Sequence, residues 1–488
     1  MRTNHPLRIA FLLWLCFAAS LRGFADKKIY VLSDIHVMAP SLLDSQENTA
    51  WKADLAENKK MQELSVPVFD LLVERIKADK PELLLIPGDL TKDAEYESHQ
   101  YVVDKLAEIE AAGIRVFVIP GNHDRFNQEG ARKYEGNGYS AVASMTQDDF
   151  QTYYKPYGYG DDSELHGSTL TYAVDLYPGL SLIGIDTGQY AIIDDDAVVW
   201  ACQKAADART RGQQVIVMMH HSLIPHFFNQ ESFHPLSVVR DNERIRDLLM
   251  EAGVKVVFTG HYHVSDITRY VNSQGQEIYD VCTGSTIAYP CDYRILSFDD
   301  QFSQLSITTS TVSSFPGYDE GDFPLYAKTR LQESVAVWAK KWLSNRMSNQ
   351  HVLDAAAQFV TSAFVTHAEG NEPQNPNSAE ALDQFKSAED LAKIAAIFGK
   401  NSLLDTIEEV GLSIKSMLGD YPSEDDIDNV VDDRQLTITM PSVPSAIRQV
   451  KAVDAASDVW HTLQGVRLSS RPSAPGIYLH EGQKVVVK

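Results

Sequence analysis

From Lys27 to about residue 310 the chain alternates short apolar runs with longer amphipathic ones. Residues 28–32 and 83–86 read as buried strands, and between them Leu64, Val68, Leu71, Leu72 and Ile76 fall on one helical face. A second helix is predicted over about 94–112, leading into a strand at 116–119. Strand–helix–strand–helix–strand is the grammar of an α/β sheet with right-handed crossovers. Strands are predicted again at 170–176, 180–185 and 215–219, followed by a helix over 237–252 and a strand at 254–258. The runs at 264–271, 277–281, 293–298 and 305–309 have the pattern of antiparallel strands. Residues 125–169 carry little periodicity but many tyrosines, including Tyr134, Tyr139, Tyr153, Tyr154, Tyr157 and Tyr159. They form a long, partly helical insertion, and such insertions tend to be functional.

The character changes near Phe315-Pro316-Gly317. Helices are expected around 335–343, 352–365, 382–397 and 403–418, with breaks at 369–377 and Gly399. Beyond Asp420 the chain is acidic, then rich in Pro and Ser, with short strands expected at 436–440 and 484–487. At the other end, Arg2 and Arg8 precede an apolar run from Ile9 to Ala19 and the small-residue pattern Gly23-Phe24-Ala25. This is the composition of a secretory signal peptide cleaved after Ala25. Its apolar run is well short of the roughly 20 residues that span a bilayer. The expected division is therefore a leader at 1–25, an α/β domain at 26–315 and a mostly helical C-terminal extension at 316–488. The protein would be exported, periplasmic or extracellular, and soluble after cleavage, with no transmembrane segment.

Five polar blocks stand directly after apolar runs: Asp34-Ile35-His36, Gly88-Asp89, Gly121-Asn122-His123-Asp124, His220-His221 and Gly260-His261-Tyr262-His263. Each alone is commonplace. Together, each at a strand terminus, they place the carboxylates of Asp34 and Asp89, an amide and several imidazoles in the crevice where α/β sheets bind ligands. That donor set suits Mn, Fe, Zn or Mg, and two such ions roughly 3.5–4 Å apart activate water and clamp phosphoryl oxygens. His220 and His221 are adjacent, so a strand points them to opposite sides. His226 and His234, in the loop that follows, could touch substrate but read rather as solvated histidines.

Charge narrows the choice of partner. With 43 Lys+Arg against 67 Asp+Glu the formal charge is −24, and loss of Arg2, Arg8 and Arg22 with the leader makes it three units more negative. Duplex nucleic-acid binding rests on phosphate neutralisation by basic side chains, so it is not expected. Outside the leader only Cys202, Cys282 and Cys291 remain. Cys282 and Cys291 are close enough in sequence to bridge, but three buried thiols fit the odd count equally well.

The order Asp-x-His, Gly-Asp, Gly-Asn-His-Asp, His, Gly-His-x-His resembles the calcineurin-like metallophosphoesterase superfamily over about residues 27–310. The resemblance implies a four-layer α/β/β/α sandwich of two mixed sheets, with a dinuclear metal site between their ends. It implies Asp34, His36 and His263 on one divalent ion, Asn122, His220 and His261 on the other, and Asp89 bridging. It further implies in-line attack of a metal-bound hydroxide on phosphorus, with His123 protonating the leaving group or steadying the transition-state charge and Asp124 orienting His123. Asp124 after the histidine and the form Gly88-Asp89-Leu90-Thr91 resemble the phosphodiesterase-like branch. Protein Ser/Thr phosphatases usually carry Glu at the former position. Purple acid phosphatases place a tyrosine where this chain has Lys92. A small phosphoester such as a nucleotide or glycerophosphodiester is the expected substrate, and a phosphomonoester the alternative. The tyrosine-rich insertion would either roof the site and stack on a base or pack as ordinary core. The helical extension would either cap the catalytic domain or work as a docking module.

Overall fold

The computed structural model describes residues 27–318, 321–346, 348–397, 401–421 and 431–442, with short segments between 460 and 487. The leader expected at 1–25 and the break expected at Gly399 lie outside the described residues. In the first half, β1 (Lys27–Val31), α1 (Thr49–Glu57), α2 (Ser65–Asp79), β2 (Leu83–Ile86), α3 (Tyr96–Ala111) and β3 (Arg115–Val118) follow one another. Asn48 caps α1 by accepting from the Trp51 backbone N–H. The apolar stripe of α2 buries Val68, Phe69, Leu72, Val73 and Ile76. The insertion then forms a hairpin of β4 (Arg132–Glu135) and β5 (Gly138–Ala141), a short helix Gln147–Tyr153 and the edge strand β6 (Ser163–Leu165).

The second half runs β7 (Tyr172–Tyr177), β8 (Leu180–Ile185), α4 (Asp195–Thr210), β9 (Gln214–Met219), α5 (Asn242–Glu251), β10 (Val256–Thr259), β11 (Ile267–Val271) and β12 (Glu277–Cys282). The strands β13 (Asp292–Phe298) and β14 (Gln304–Thr311) return to the first sheet. Four helices follow, α6 (Phe323–Ser344), α7 (Gln350–Glu369), α8 (Pro376–Ile397) and α9 (Asn401–Gly419), and then β15 (Gln435–Thr439).

Two mixed sheets result. One has the order β15-β14-β13-β1-β2-β3, with β1, β2 and β3 parallel and the rest antiparallel. The other has the order β11-β12-β10-β9-β8-β7-β6, parallel from β8 through β12. The parallel strands β2, β8, β9 and β10 are buried along their whole length, as helices on one face and a second sheet on the other require. Side chains of both sheets and of α2 to α5 share one apolar core. The polar blocks leave the carboxyl ends of β1, β2 and β3 in one sheet and of β9 and β10 in the other, and the two sheets bring them together at one rim.

The chain divides at Pro444 into two compact units. The unit beyond it contains a four-stranded antiparallel sheet of Trp460–Thr462, Arg467–Leu468, Gly476–His480 and Gln483–Val487. No helix among the described residues is long and apolar enough to cross a membrane.

Four of the tyrosines in the insertion are core rather than roof. Tyr134, Tyr154, Tyr157 and Tyr159 are buried, and Tyr154 hydrogen-bonds His99 Nδ1 at 2.8 Å. The three cysteines Cys202, Cys282 and Cys291 are free thiols.

Candidate metal centre and active site

Two groups of ligand-type side chains meet at the rim, Asp34, His36, Asp89 and His263 in one and Asp89, His220 and His261 in the other. Asp89 belongs to both. Its Oδ1 accepts from the His123 backbone N–H at 2.9 Å. Its Oδ2 lies 3.5 Å from His36 Nε2 and 3.4 Å from His220 Nε2, so one oxygen faces both groups. In the first group His263 Nε2 lies 3.3 Å from Asp34 Oδ1 and 3.2 Å from His36 Nε2. In the second, Asn122 Oδ1 lies 3.1 Å from His220 Nε2 and 2.8 Å from His261 Nδ1.

Neighbours fix these rings. His220 Nδ1 donates to the Pro87 carbonyl at 2.8 Å and His36 Nδ1 to that of Thr91 at 3.3 Å, so each Nε2 faces the centre. His221, next in sequence, turns its Nδ1 to Thr187 Oγ1 at 2.7 Å instead. Burial drives the His36 imidazole well below its ordinary value, with Lys60 adding to the shift. Burial and His220 push His261 down to about 3. Both are therefore neutral at pH 7, the form that binds a cation. Burial would lower His220 too, but the Asp89 carboxylate lifts it to about 9. Burial would raise Asp89, yet the His220, His123 and His36 rings outweigh it and hold it well below the usual carboxylate range. Carboxylates, an amide oxygen and imidazoles converging from two sides on one oxygen are a donor set that fits two divalent ions, with a cation displacing the proton that Asp89 favours on His220.

The backbone is unusual here. Asp34, His36, Asp89, His261 and His263 all have φ between 42° and 66°. Left-handed conformations at non-glycine residues cost energy and cluster at functional sites. Close approach also fixes two glycines. A Cβ on Gly121 would lie 2.1 Å from Asp89 Oδ1, and one on Gly260 2.0 Å from Ser33 Oγ. Gly121 itself has no positive φ, so its role is room for Asp89 rather than freedom to turn.

The expected support of His123 by Asp124 is not what the structure contains. Asp124 is buried and turned away from the ring, accepting from the backbone N–H groups of Leu90, Thr91 and Gly121 at 2.8–3.1 Å. Three main-chain donors, two from the loop after β2 and one from the loop of Asp124 itself, are a stronger claim on a carboxylate than the neighbouring ring. Burial, reinforced by Asp89, raises this carboxyl to about 6. The partner of His123 is Asp93, whose Oδ1 lies 2.8 Å from its Nδ1 and also accepts from Asn127 Nδ2 at 2.7 Å. Although buried, the Asp93 carboxyl is lowered by His123 and Lys92. Lys60 is a second residue that sequence reasoning missed. It is buried with its Nζ 3.3 Å from His36 Nδ1, beside the first group. Both sit in charged stretches, Lys59-Lys60 and Lys92-Asp93-Ala94-Glu95, whose composition reads as solvated surface. The solvated reading fails for His226 and His234 as well. His226 is buried with Nδ1 2.9 Å from Asp266 Oδ1, and His234 stacks on Trp338 at 5.3 Å between centroids.

A family model for calcineurin-like phosphoesterases matches residues 27–265. Among solved structures the chain is similar to a dimetal phosphatase from Danio rerio, at 11% identity and a TM-score of 0.41, covering 59% of this chain and 97% of that one. It is also similar to a purple acid phosphatase from yellow lupin seeds, at 13% identity and a TM-score of 0.38, covering 59% of this chain and 52% of that one. No curated protein sequence matches the chain. Residues 27–265 thus belong to the calcineurin-like phosphoesterases, a family dependent on two metal ions, and the protein is a metallophosphoesterase, a hydrolase of phosphoric esters.

Proposed function

We propose that the protein is an exported phosphodiesterase acting on small phosphoesters such as nucleotides or glycerophosphodiesters. The observation that carries the reading is the single Asp89 oxygen shared by two groups of ligands, with a partly exposed histidine, His123, anchored beside them. Asp34, His36 and His263 would hold one ion, Asn122, His220 and His261 the other, and Asp89 both; Mn, Fe, Zn or Mg suits the donors. When bound, such a pair neutralises phosphoryl oxygens and lowers the pKa of water.

The chain's own residues account for the rest. His123 faces the space beside the first group, its ring centroid 5.0 Å from that of His36, and hands a proton to the departing oxygen. Asp93 holds that ring by Nδ1, so Nε2 is the atom that carries the proton to the ester. Lys60, buried with its Nζ 3.3 Å from His36 Nδ1, would add positive charge beside the first group. The diester preference rests on the forms of the second and third blocks. It is supported by Lys92, whose ammonium is tied to Asp93 and Asp54 where a purple acid phosphatase would present a tyrosine ligand. Export rests on the composition of residues 1–25, and the acidic surface disfavours long polyanions.

The test is turnover of bis-p-nitrophenyl and p-nitrophenyl phosphate by the leaderless protein with Mn2+. The diester should be hydrolysed faster. No turnover of either ester with two equivalents of metal bound sinks the hydrolase on generic esters, and a faster monoester reverses the preference. A panel of 3′,5′-cyclic nucleotides and glycerophosphodiesters then ranks natural substrates.

A further inference from the structure

A second concentration of buried ligand-type groups lies behind the active site, where α7, α9 and the approach to β15 meet the loop that follows His263. Asp266, His367 and Glu372 place a ligand atom each within 4.8 Å of one another, and so do Asp266, Asp420 and Asp433. All five side chains are more than nine-tenths buried. They come from four places in the chain: the β10–β11 loop, the end of α7 with the turn that follows it, the residue after α9 and the segment before β15.

The hydrogen bonds within the cluster do not satisfy it. Asp266 Oδ1 is 2.9 Å from His226 Nδ1 and accepts from Thr268 Oγ1 at 3.1 Å. Its Oδ2 points inward, 3.7 Å from His367 Nδ1, and meets no hydrogen-bond donor among the described residues. The same is true of Glu372 Oε2 and Asp420 Oδ2. Glu372 Oε1 contacts His367 Nδ1. Asp433 accepts one backbone N–H on each oxygen, from Ile267 and Asn371, both at 2.7 Å.

Among the described residues, the cations beside the cluster do not balance its four carboxylates. The guanidinium of Arg294 is given to main-chain carbonyls, among them those of Cys282 and Asp433. Burial keeps His367 low, at about 4, so this ring is neutral at pH 7. His226, raised by Asp266, is the imidazolium that faces the group. Burial and Asp433 push the Asp420 carboxyl up to about 11, and burial and Asp266 bring Asp433 to about 7. Buried charge of one sign is relieved either by uptake of protons or by coordination of a cation. Oxygens left without a donor and a neutral imidazole in the same small volume fit the second course.

We propose that Asp266, His367, Glu372, Asp420 and Asp433 form a third cation site, separate from the dinuclear centre, that holds one Mn2+ or Zn2+. Carboxylates suit Mn2+ and Mg2+, an imidazole suits Zn2+, and the mixed set selects the ions that accept both. The ion would fasten the helices to the strand loop three residues beyond His263, and so serve as a clasp rather than a reaction centre. The site stands whether or not the protein is a diesterase.

The test uses the full chain, crystallised after equilibration with Mn2+ or with Zn2+. Anomalous difference maps at the matching absorption edge should show a peak among Asp266, Glu372 and Asp433, apart from those at Asp89. Absence of that peak with both metals overturns the proposal. In solution, the double variant Glu372→Gln/Asp420→Asn should bind one equivalent of metal fewer than the parent, with hydrolysis at saturating Mn2+ unchanged. An unchanged metal count means that the carboxylates hold protons instead, and the site is refuted. Should the variant not fold, the anomalous maps of the parent decide alone.

Discussion

At the scale of single residues, the deciding contact is the one between His123 and Asp93. A carboxylate on Nδ1 does two things for an imidazole: it selects the tautomer and it stabilises the charged ring. Asn at position 93 would keep an acceptor and remove the charge. We expect Asp93→Asn to lower turnover of a diester with a poor, alkyl leaving group by roughly 10–100-fold, the usual range for such supporting partners. The effect on bis-p-nitrophenyl phosphate, whose leaving group needs little protonation, should be much smaller, and metal content should stay at the parent value. Equal losses on both esters would remove Asp93 from proton handling. The ligand-type side chains were legible because each stands in the sequence directly after an apolar strand. Asp93 was not, because it reaches His123 across a turn that begins at Asp89, and the left-handed φ of Asp89 is invisible in a residue string. Asp124 misled for the same reason: adjacency in sequence said nothing about the backbone N–H groups of Leu90 and Thr91 in another loop.

At the scale of elements, helices and parallel strands announced themselves by period, and only their ends moved. The helix expected at 335–343 is α6, which begins at Phe323 because Asp322 caps it by accepting from the Leu325 backbone N–H. Its first turns mix buried Phe323, Ala327 and Leu331 with an exposed Leu325, which blurs the apolar stripe there. The hairpin β4–β5 is too short and too exposed for a period to register, and it is anchored instead by Tyr134 against Trp51, with centroids 5.1 Å apart. One element carries a pH dependence that can be measured. In α3, His99 is buried, with Nε2 donating to the Asp124 carbonyl at 2.9 Å and Nδ1 accepting from Tyr154. Burial holds its folded value at about 3, below the ordinary 6.5. The unfolded chain therefore takes up a proton below pH 6.5 that the folded chain refuses until about pH 3. Stability is fully present above pH 6.5 and lost below it, by about 1.4 kcal/mol per pH unit. Between pH 6.5 and 5.0 this one ring should cost about 2 kcal/mol. Gln offers one donor and one acceptor without titrating, so His99→Gln should remove that share of the acid sensitivity in urea unfolding. Identical pH slopes for the two proteins would show that His99 is not buried neutral.

At the scale of the whole chain, the question is what the helices do for the sandwich. They are not covered by their own apolar faces alone. Phe227, Phe233, Tyr262, Val264 and Cys282 from the α/β part share a buried cluster with Val335, Val360, Phe364 and Ile414. Phe233 stacks on Trp342 with centroids 4.8 Å apart, and Lys59 sits 4.9 Å over the Trp338 ring. Beyond the helices, β15 pairs with β14 as the edge of the first sheet, and Lys255 Nζ donates to the Thr439 carbonyl at 2.6 Å. Removal of everything after residue 315 would uncover five apolar side chains, each worth about 1.5–3 kcal/mol when large and fully buried. It would also bare the β14 edge to other chains. That loss is on the order of 10 kcal/mol, comparable with the 5–15 kcal/mol by which whole domains are stable. A chain ending at residue 315 is therefore expected to aggregate or to unfold without a cooperative transition, and to retain no metal at the Asp89 centre. If it instead melts cooperatively and binds two equivalents of Mn2+, the α/β domain folds by itself and the helices are an appended module.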